Sequence, residues 1–215
     1  MNDIVTAART LQNFKGRSFP KKIAEIETAF LGSSKPTVTQ LLHRYSLGQQ
    51  LLDAAFSIKR SASQIDEIVH AIGILTALPA LLLDGEVVKS LSLAAGNTGK
   101  GFDLETNKRI AEFTFIQWQG GAEVIRQNKI FKDFYFLAEK DTPLLKELYV
   151  VGTQYPLRFF TSNRAIPAIL KNNGKLGDSF TAKYSTRFKT VRDYYETKKE
   201  LVAIMDVRKY ISIEE

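Results

Sequence analysis

The 215 residues contain no cysteine, which excludes a disulfide scaffold and a cysteine nucleophile. Only two histidines are present, His43 and His70, so a His/Cys zinc cage is excluded as well. Long apolar runs are scarce. The longest, 71–83, is 13 residues and contains Pro79, whereas a membrane helix needs ~20. The opening stretch MNDIVTAARTLQNFKG carries an acid at Asp3 and lacks the apolar core of a signal peptide. These absences lead to the expectation of a cytoplasmic protein with no membrane attachment. What is present suits a folded domain, with 44% apolar and 25% charged residues.

Charge of one sign is also unevenly placed. The net charge is +7. Residues 1–99 hold 10 Lys/Arg against 8 Asp/Glu, residues 100–155 hold 8 against 8, and residues 156–215 hold 12 against 7. Most of the excess therefore lies in the last 60 residues, with a smaller knot at Lys15, Arg17, Lys21 and Lys22. Clustered cations attract phosphate backbones through counterion release, independent of base sequence. A nucleic-acid partner is one reading of this charge, set against a solvated basic surface with no polyanion.

Periodicity divides the chain. Residues 3–14 and 21–31 read as short amphipathic helices, with a break at Gly32 to Pro36. Residues 37–59 carry a helical stripe. Ser63-Gln-Ile-Asp66 has capping-box spacing, and after it Ile65, Ile68, Val69, Ile72, Leu75 and Leu78 recur at three and four, as on one buried helix face. Pro79 ends or kinks that helix. From Asp84 the period changes. Residues 87–93 read as a strand, 95–101 as a glycine-rich loop, and 102–106 with 109–118 as an antiparallel hairpin turning near Asn107. Gly120-Gly121 breaks the chain, 122–139 reads as a helix, and 148–152 as a strand buried on both faces. The tail reads as a turn at Pro156, a helix near 163–171, a loop at 172–177 and a last helix over 186–203. This predicts three regions: a helical N-terminal region over 1–62, an α/β core over 63–155, and a basic helical extension over 156–215.

The hairpin carries the chemistry. Alternation puts Asp103 and Glu105 on one face of the first strand, and Glu112, Thr114 and Ile116 on one face of the second. Phe102, Leu104, Ala111, Phe113 and Phe115 form the apolar face. Asp103 and Glu112 then converge across one hairpin, a hard-oxygen pair suited to Mg²⁺ or Mn²⁺. Glu86, just before the first strand, is the candidate third carboxylate. The plainer reading makes both acids the solvated side of a half-buried hairpin.

Phe-Asp103-Leu on one strand and Ala-Glu112-Phe-Thr114 on the next resemble the PD-(D/E)XK nuclease superfamily. The stretch GKGFDLETNKRIAEFTFIQWQGGAEVIRQNKIFKDFYFLAE looks most like uncharacterised members of it. The resemblance covers residues 84–153 and implies an α/β fold with a restriction-endonuclease-like αβββαβ core, Mg²⁺ or Mn²⁺ as cofactor, and DNA phosphodiesters as substrate. It implies catalytic roles for Asp103, Glu112 and position 114, and metal binding by Glu86, Asp103 and Glu112. The superfamily pattern has lysine two residues after the glutamate, where this chain has Thr114. Three readings follow. Lys129 or Lys132 on the next helix replaces the lost cation, or the chain is an inactivated variant, or the fold survives as a non-catalytic module binding nucleic acid or a protein partner. A homodimer is compatible with each. Gln127-x-x-x-Phe131 resembles, without the phenol, the Gln-x-x-x-Tyr signature of the exonuclease branch, and by helical spacing it also fits a surface glutamine and a core phenylalanine. Gln127, Lys132, Arg187, Lys189 and Arg192 are the candidate DNA contacts. Tyr184, Phe188, Tyr194 and Tyr195 are candidate base-stacking groups or one face of a packed helix. His70 and His43 read as satisfied helix residues.

Overall fold

The computed structural model describes residues 4–93, 101–118, 124–171 and 173–213. By contacts the chain divides into two units, 1–66 and 67–215. The glycine-rich loop 95–100 and the Gly120-Gly121 break lie outside the described residues.

Unit 1–66 is helical: α1 (Ile4–Lys15), α2 (Phe19–Phe30), α3 (Lys35–Arg44) and the first part of α4 (Gln49–Leu81). Proline in the first turn starts both α2 and α3, where its fixed φ suits the helix and no donor is lost. The unit buries Ala7, Leu41 and Ala54. The Lys22 ammonium donates to the Phe14 carbonyl at 2.7 Å and lies over the Phe14 ring at 4.5 Å.

Unit 67–215 is a mixed α/β assembly around a five-stranded sheet in the order β1 (Val88–Leu91), β2 (Leu104–Thr106), β3 (Arg109–Thr114), β4 (Leu145–Val150), β5 (Ala203–Asp206). The first three strands pair antiparallel, while β3–β4 and β4–β5 pair parallel. The β3–β4 crossover runs through α5 (Val124–Glu139). Both sheet faces are covered, so β3 is buried along nearly its whole length rather than half-buried. Leu104, Ala111, Phe113 and Tyr149 pack with Ile74, Ala77 and Leu81 of α4. On the other face, Ile110, Leu148 and Val150 pack against Ile130, Phe131 and Phe134 of α5. Phe102, expected beside Leu104, joins this second cluster. It precedes the strand, and the alternation does not reach it.

α4 differs most from expectation. It runs unbroken through Ser63–Asp66, so the capping-box pattern starts no helix there, and Pro79 lies two residues from its end. By length and composition alone it could cross a membrane, but its 67–81 part packs on the sheet. The stripe expected to be buried is the outer one: Ile65, Ile68, Val69, Ile72 and Leu75 are 42–57% exposed. The inner stripe is His70, Gly73, Ile74, Ala77, Leu78 and Leu81, also spaced at three and four. The segment is apolar nearly all round, so periodicity alone cannot choose a face. Small residues decide it. A Cβ on Gly73 would stand 2.5 Å from the Phe115 ring, and only glycine permits that approach.

After β4 come α6 (Gln154–Phe160), α7 (Ile166–Leu170), α8 (Gly174–Tyr184) and α9 (Val191–Lys198). α8 occupies part of the expected loop, and β5 occupies the end of the expected last helix. Tyr194 is fully buried at the centre of a cluster with Phe131, Phe180, Tyr184 and Phe188. The Glu139 carboxylate at the end of α5 closes this cluster. It accepts from Tyr184 at 2.6 Å and Tyr194 at 2.7 Å, and pairs with Lys198 at 3.1 Å and with Lys183. Burial opposes its ionisation, but these donors hold its pKa at about 2.

Candidate active site

The β2–β3 hairpin aligns Leu104 with Ala111 and Glu105 with Ile110, so the next step of the register sets Asp103 opposite Glu112. Each carboxyl group lies close enough to bear on the ionisation of the other. Asp103 Oδ2 accepts from the Phe113 backbone N–H at 2.9 Å, which ties the side chain to β3. His70 Nε2 lies 3.4 Å from Asp103 Oδ1, an ion-pair distance for a protonated imidazole. Nε2 is buried and has no hydrogen-bond partner among the described residues. The imidazole also meets the Phe115 ring edge-on, centroids 6.1 Å apart.

Two acids in contact cannot ionise alike. Burial works against the Asp103 anion, but His70 and the Phe113 N–H favour it more, and its pKa falls below the ordinary aspartate value. Glu112 goes the other way. Burial, then the charges of Asp133 and Asp103, push it up to about 10. The two shifts run in opposite directions: the Asp103 anion is favoured, while ionisation of Glu112 is opposed.

α5 brings a cation to the same place. Lys129 Nζ donates to Thr114 Oγ1 at 3.2 Å and to Asp133 Oδ2 at 3.0 Å, and Thr114 Oγ1 donates to Asp133 Oδ2 at 3.4 Å. Desolvation disfavours the ammonium, but Asp133 first, then Asp103 and Glu112, raise its pKa above the lysine norm. Thr114 and Asp133 are buried.

Of the sequence-derived site residues, Asp103, Glu112, Thr114 and Lys129 come together. Glu86 does not join them. Its Oε1 accepts from Arg109 Nε at 2.6 Å and Thr106 Oγ1 at 2.7 Å, and its Oε2 from Arg109 Nη2 at 2.7 Å and the Leu83 N–H at 3.0 Å. Both oxygens are engaged at the turn end of the hairpin, away from Asp103. Lys132 lies over the Phe136 ring at 6.0 Å rather than beside Thr114. Gln127 is buried, with Oε1 unpartnered among the described residues, and Phe131 is core. Arg187, Lys189 and Arg192 are exposed around the α8–α9 link. Arg187 stacks on Phe188 at 5.2 Å, and Arg192 Nε donates to the Thr161 carbonyl at 2.6 Å. Phe188 and Tyr194 are core, and Tyr184 and Tyr195 pack against them, so the aromatic run is spent on packing. Sequence reasoning missed His70 and Asp133. His70 was detectable only by choosing the inner α4 stripe. The Asp133 signal was its i,i+4 spacing from Lys129.

The donor set can be tested against a divalent ion. Among the described residues no group of three or more His, Asp or Glu side chains is preformed as a metal cage. The pair does offer carboxylate oxygens, with His70 Nε2 3.4 Å from one of them, and hard oxygen donors of this kind suit Mg²⁺ or Mn²⁺.

Comparison with protein-family models, curated proteins and solved structures finds no match.

Proposed function

We propose that this chain is a divalent-metal-dependent nuclease of the PD-(D/E)XK kind, hydrolysing DNA phosphodiesters in the cytoplasm. One observation carries the reading. Asp103 and Glu112 project from the same hairpin, and Lys129 of the following helix sets its ammonium 3.2 Å from Thr114 Oγ1, the residue where the superfamily pattern has its lysine. The order α4, β1–β2–β3, α5, β4 supports a restriction-endonuclease-like core.

Asp103 and Glu112 would hold Mg²⁺ or Mn²⁺, with His70 adjoining. The ion supplies Lewis-acid polarisation of a phosphoryl oxygen and a more acidic water. The chain's own groups do the rest. Asp103 is pre-oriented by the Phe113 N–H. Glu112 gives up its proton on loading. The Lys129 ammonium offers a fixed positive donor where the phosphoryl oxygens gain charge, in a site that partly excludes water. Water adds to phosphorus and releases a proton to solvent, the bond to the leaving sugar oxygen breaks, and that oxygen takes up a proton from solvent. The exposed Arg187, Lys189 and Arg192 meet the DNA backbone.

A second reading, a binding-only module of the same fold, is favoured by Thr114 itself, which supplies no cation. Calorimetry with Mg²⁺ in two buffers of different ionisation enthalpy, paired with cleavage of linear and circular DNA, separates the two. The nuclease reading expects Mg²⁺ binding with release of about one proton per site near pH 7, and cleavage that Asp103→Asn abolishes. DNA binding without cleavage supports the second reading. Neither Mg²⁺ binding nor cleavage, in Mg²⁺ or Mn²⁺, ends the first.

A further inference from the structure

We propose that Asp133 is a positioning residue which, with the Thr114 hydroxyl, fixes the Lys129 ammonium beside the Asp103–Glu112 pair. The proposal rests on the nuclease reading and names a part of that site which the superfamily pattern does not contain. Thr114, Lys129 and Asp133 close a triangle of 3.2, 3.0 and 3.4 Å. A hydroxyl is the group that can accept from an ammonium and donate to a carboxylate at once. Residue 114 emerges on the same sheet face as residue 112, one pleat along. Lys129 therefore reaches from α5 to the spot where a strand-borne lysine would place its charge. Thr114 is then the keystone of a relocated cation rather than a deletion of one.

A purely structural role explains Asp133 poorly. A lysine N-terminal to its acid at i,i+4 is the weaker order for helix stability. Asp133 is 6% exposed, and for stability alone a neutral residue would serve better near the half-buried Asp103 and Glu112. The acid is useful there if its task is to hold a cation that the phosphate will meet.

The test has a metal-free arm and an activity arm. In ¹H–¹⁵N spectra of lysine side chains, an immobilised, hydrogen-bonded ammonium exchanges slowly and gives a visible Nζ–H signal, assigned to Lys129 by its absence in Lys129→Arg. The signal is expected in the wild type and lost in Asp133→Asn, while Mg²⁺ binding by calorimetry is kept. Asp133→Asn should lower cleavage by roughly 10²–10³, the scale of one lost charge-stabilising donor. In a Thr114→Lys background, where the strand carries the cation, it should lower cleavage by less than about tenfold on the same scale. If Asp133→Asn does not fold, Asp133→Glu moves the same charge by one methylene and should shift the signal and weaken cleavage. A signal that survives Asp133→Asn, loss of Mg²⁺ binding in that variant, or an equal penalty in the Thr114→Lys background would each overturn the assignment. If no variant cleaves DNA, the nuclease reading falls, and the metal-free arm still decides whether Asp133 holds Lys129.

Discussion

Glu86→Gln tests the division of labour among the acids. The Glu86 side chain is 0% exposed and its partner Arg109 5%, and the carboxylate accepts four hydrogen bonds. Burial raises its pKa, but Arg109, the Leu83 N–H and Thr106 outweigh burial and hold it at about 2, well below the ordinary glutamate value of 4.5. That difference of about 2.5 units corresponds to roughly 3 kcal/mol of stability at neutral pH, at 1.36 kcal/mol per unit. Breaking a buried ion pair from one side costs a similar 3–5 kcal/mol or so. Arg109 keeps a second acid, Glu147, at 2.8 Å, so the lower end applies. For unit 67–215, about 150 residues, 3 kcal/mol is a fall of roughly 6–12 °C in melting temperature. Trp118, packed beside Phe159 at 6.1 Å, serves as the fluorescence reporter. The sign with pH follows from the lowered folded-state value. The contribution is full above about 4.5 and disappears as pH falls towards about 2, so wild type and variant should converge in acid. Folded Glu86→Gln should bind Mg²⁺ as the wild type does. A melting shift under about 2 °C, where one of 6–12 °C is expected, would refute the stability argument. Loss of Mg²⁺ binding by folded variant would return Glu86 to the metal site.

Thr114→Lys alone should raise cleavage less than about tenfold, because Lys129 already supplies the donor, whereas Lys129→Ala should cost roughly 10²–10³ and regain most of it when combined with Thr114→Lys; a large gain from the single change would show that Lys129 is not acting. Alanine at Arg187, Lys189 and Arg192 together should flatten the log–log salt dependence of DNA binding by about one for each phosphate contact removed, and an unchanged slope would exclude this surface. The raised Glu112 pKa means the folded protein keeps a proton that the unfolded chain loses above about 4.5. Metal-free stability should therefore decline by up to about 1.4 kcal/mol per pH unit between pH 6 and 9, and Glu112→Gln should remove that slope in thermal melts. Gly73→Ala drives a Cβ to 2.5 Å from the Phe115 ring and should destabilise by about 1–3 kcal/mol; a neutral melt would mean that α4 does not approach β3 this closely.

Local pattern was enough for the hairpin. Period-2 alternation is a property of the strand itself, so the shared face of Glu112 and Thr114, and their separation from Ala111 and Phe113, could be read before any packing was known. The apolar 148–150 run and the helix over 124–139 were legible for the same reason, each carrying its own period. Where two periods compete or a run is short, the chain is ambiguous. Residues 203–206 lie at and beyond the end of the expected last helix and carry no strand signal of their own, because a stretch as short as AIMD becomes a strand only when β4 offers an edge. Residues 174–184 hide a helix behind Gly174 and Gly177. Three decisions belong to the tertiary structure alone. Glu86 is kept from the Asp103–Glu112 pair by Arg109, 23 residues away, whose guanidinium donates to both oxygens. The sheet selects the inner stripe of α4 through Gly73 and Ala77, and so carries His70 to Asp103. α5 crosses the even-numbered face of β3 and lays Lys129 and Asp133 on Thr114. Sequence spacing determines what a side chain shares a face with; only packing between elements determines which opposite charge it finds there.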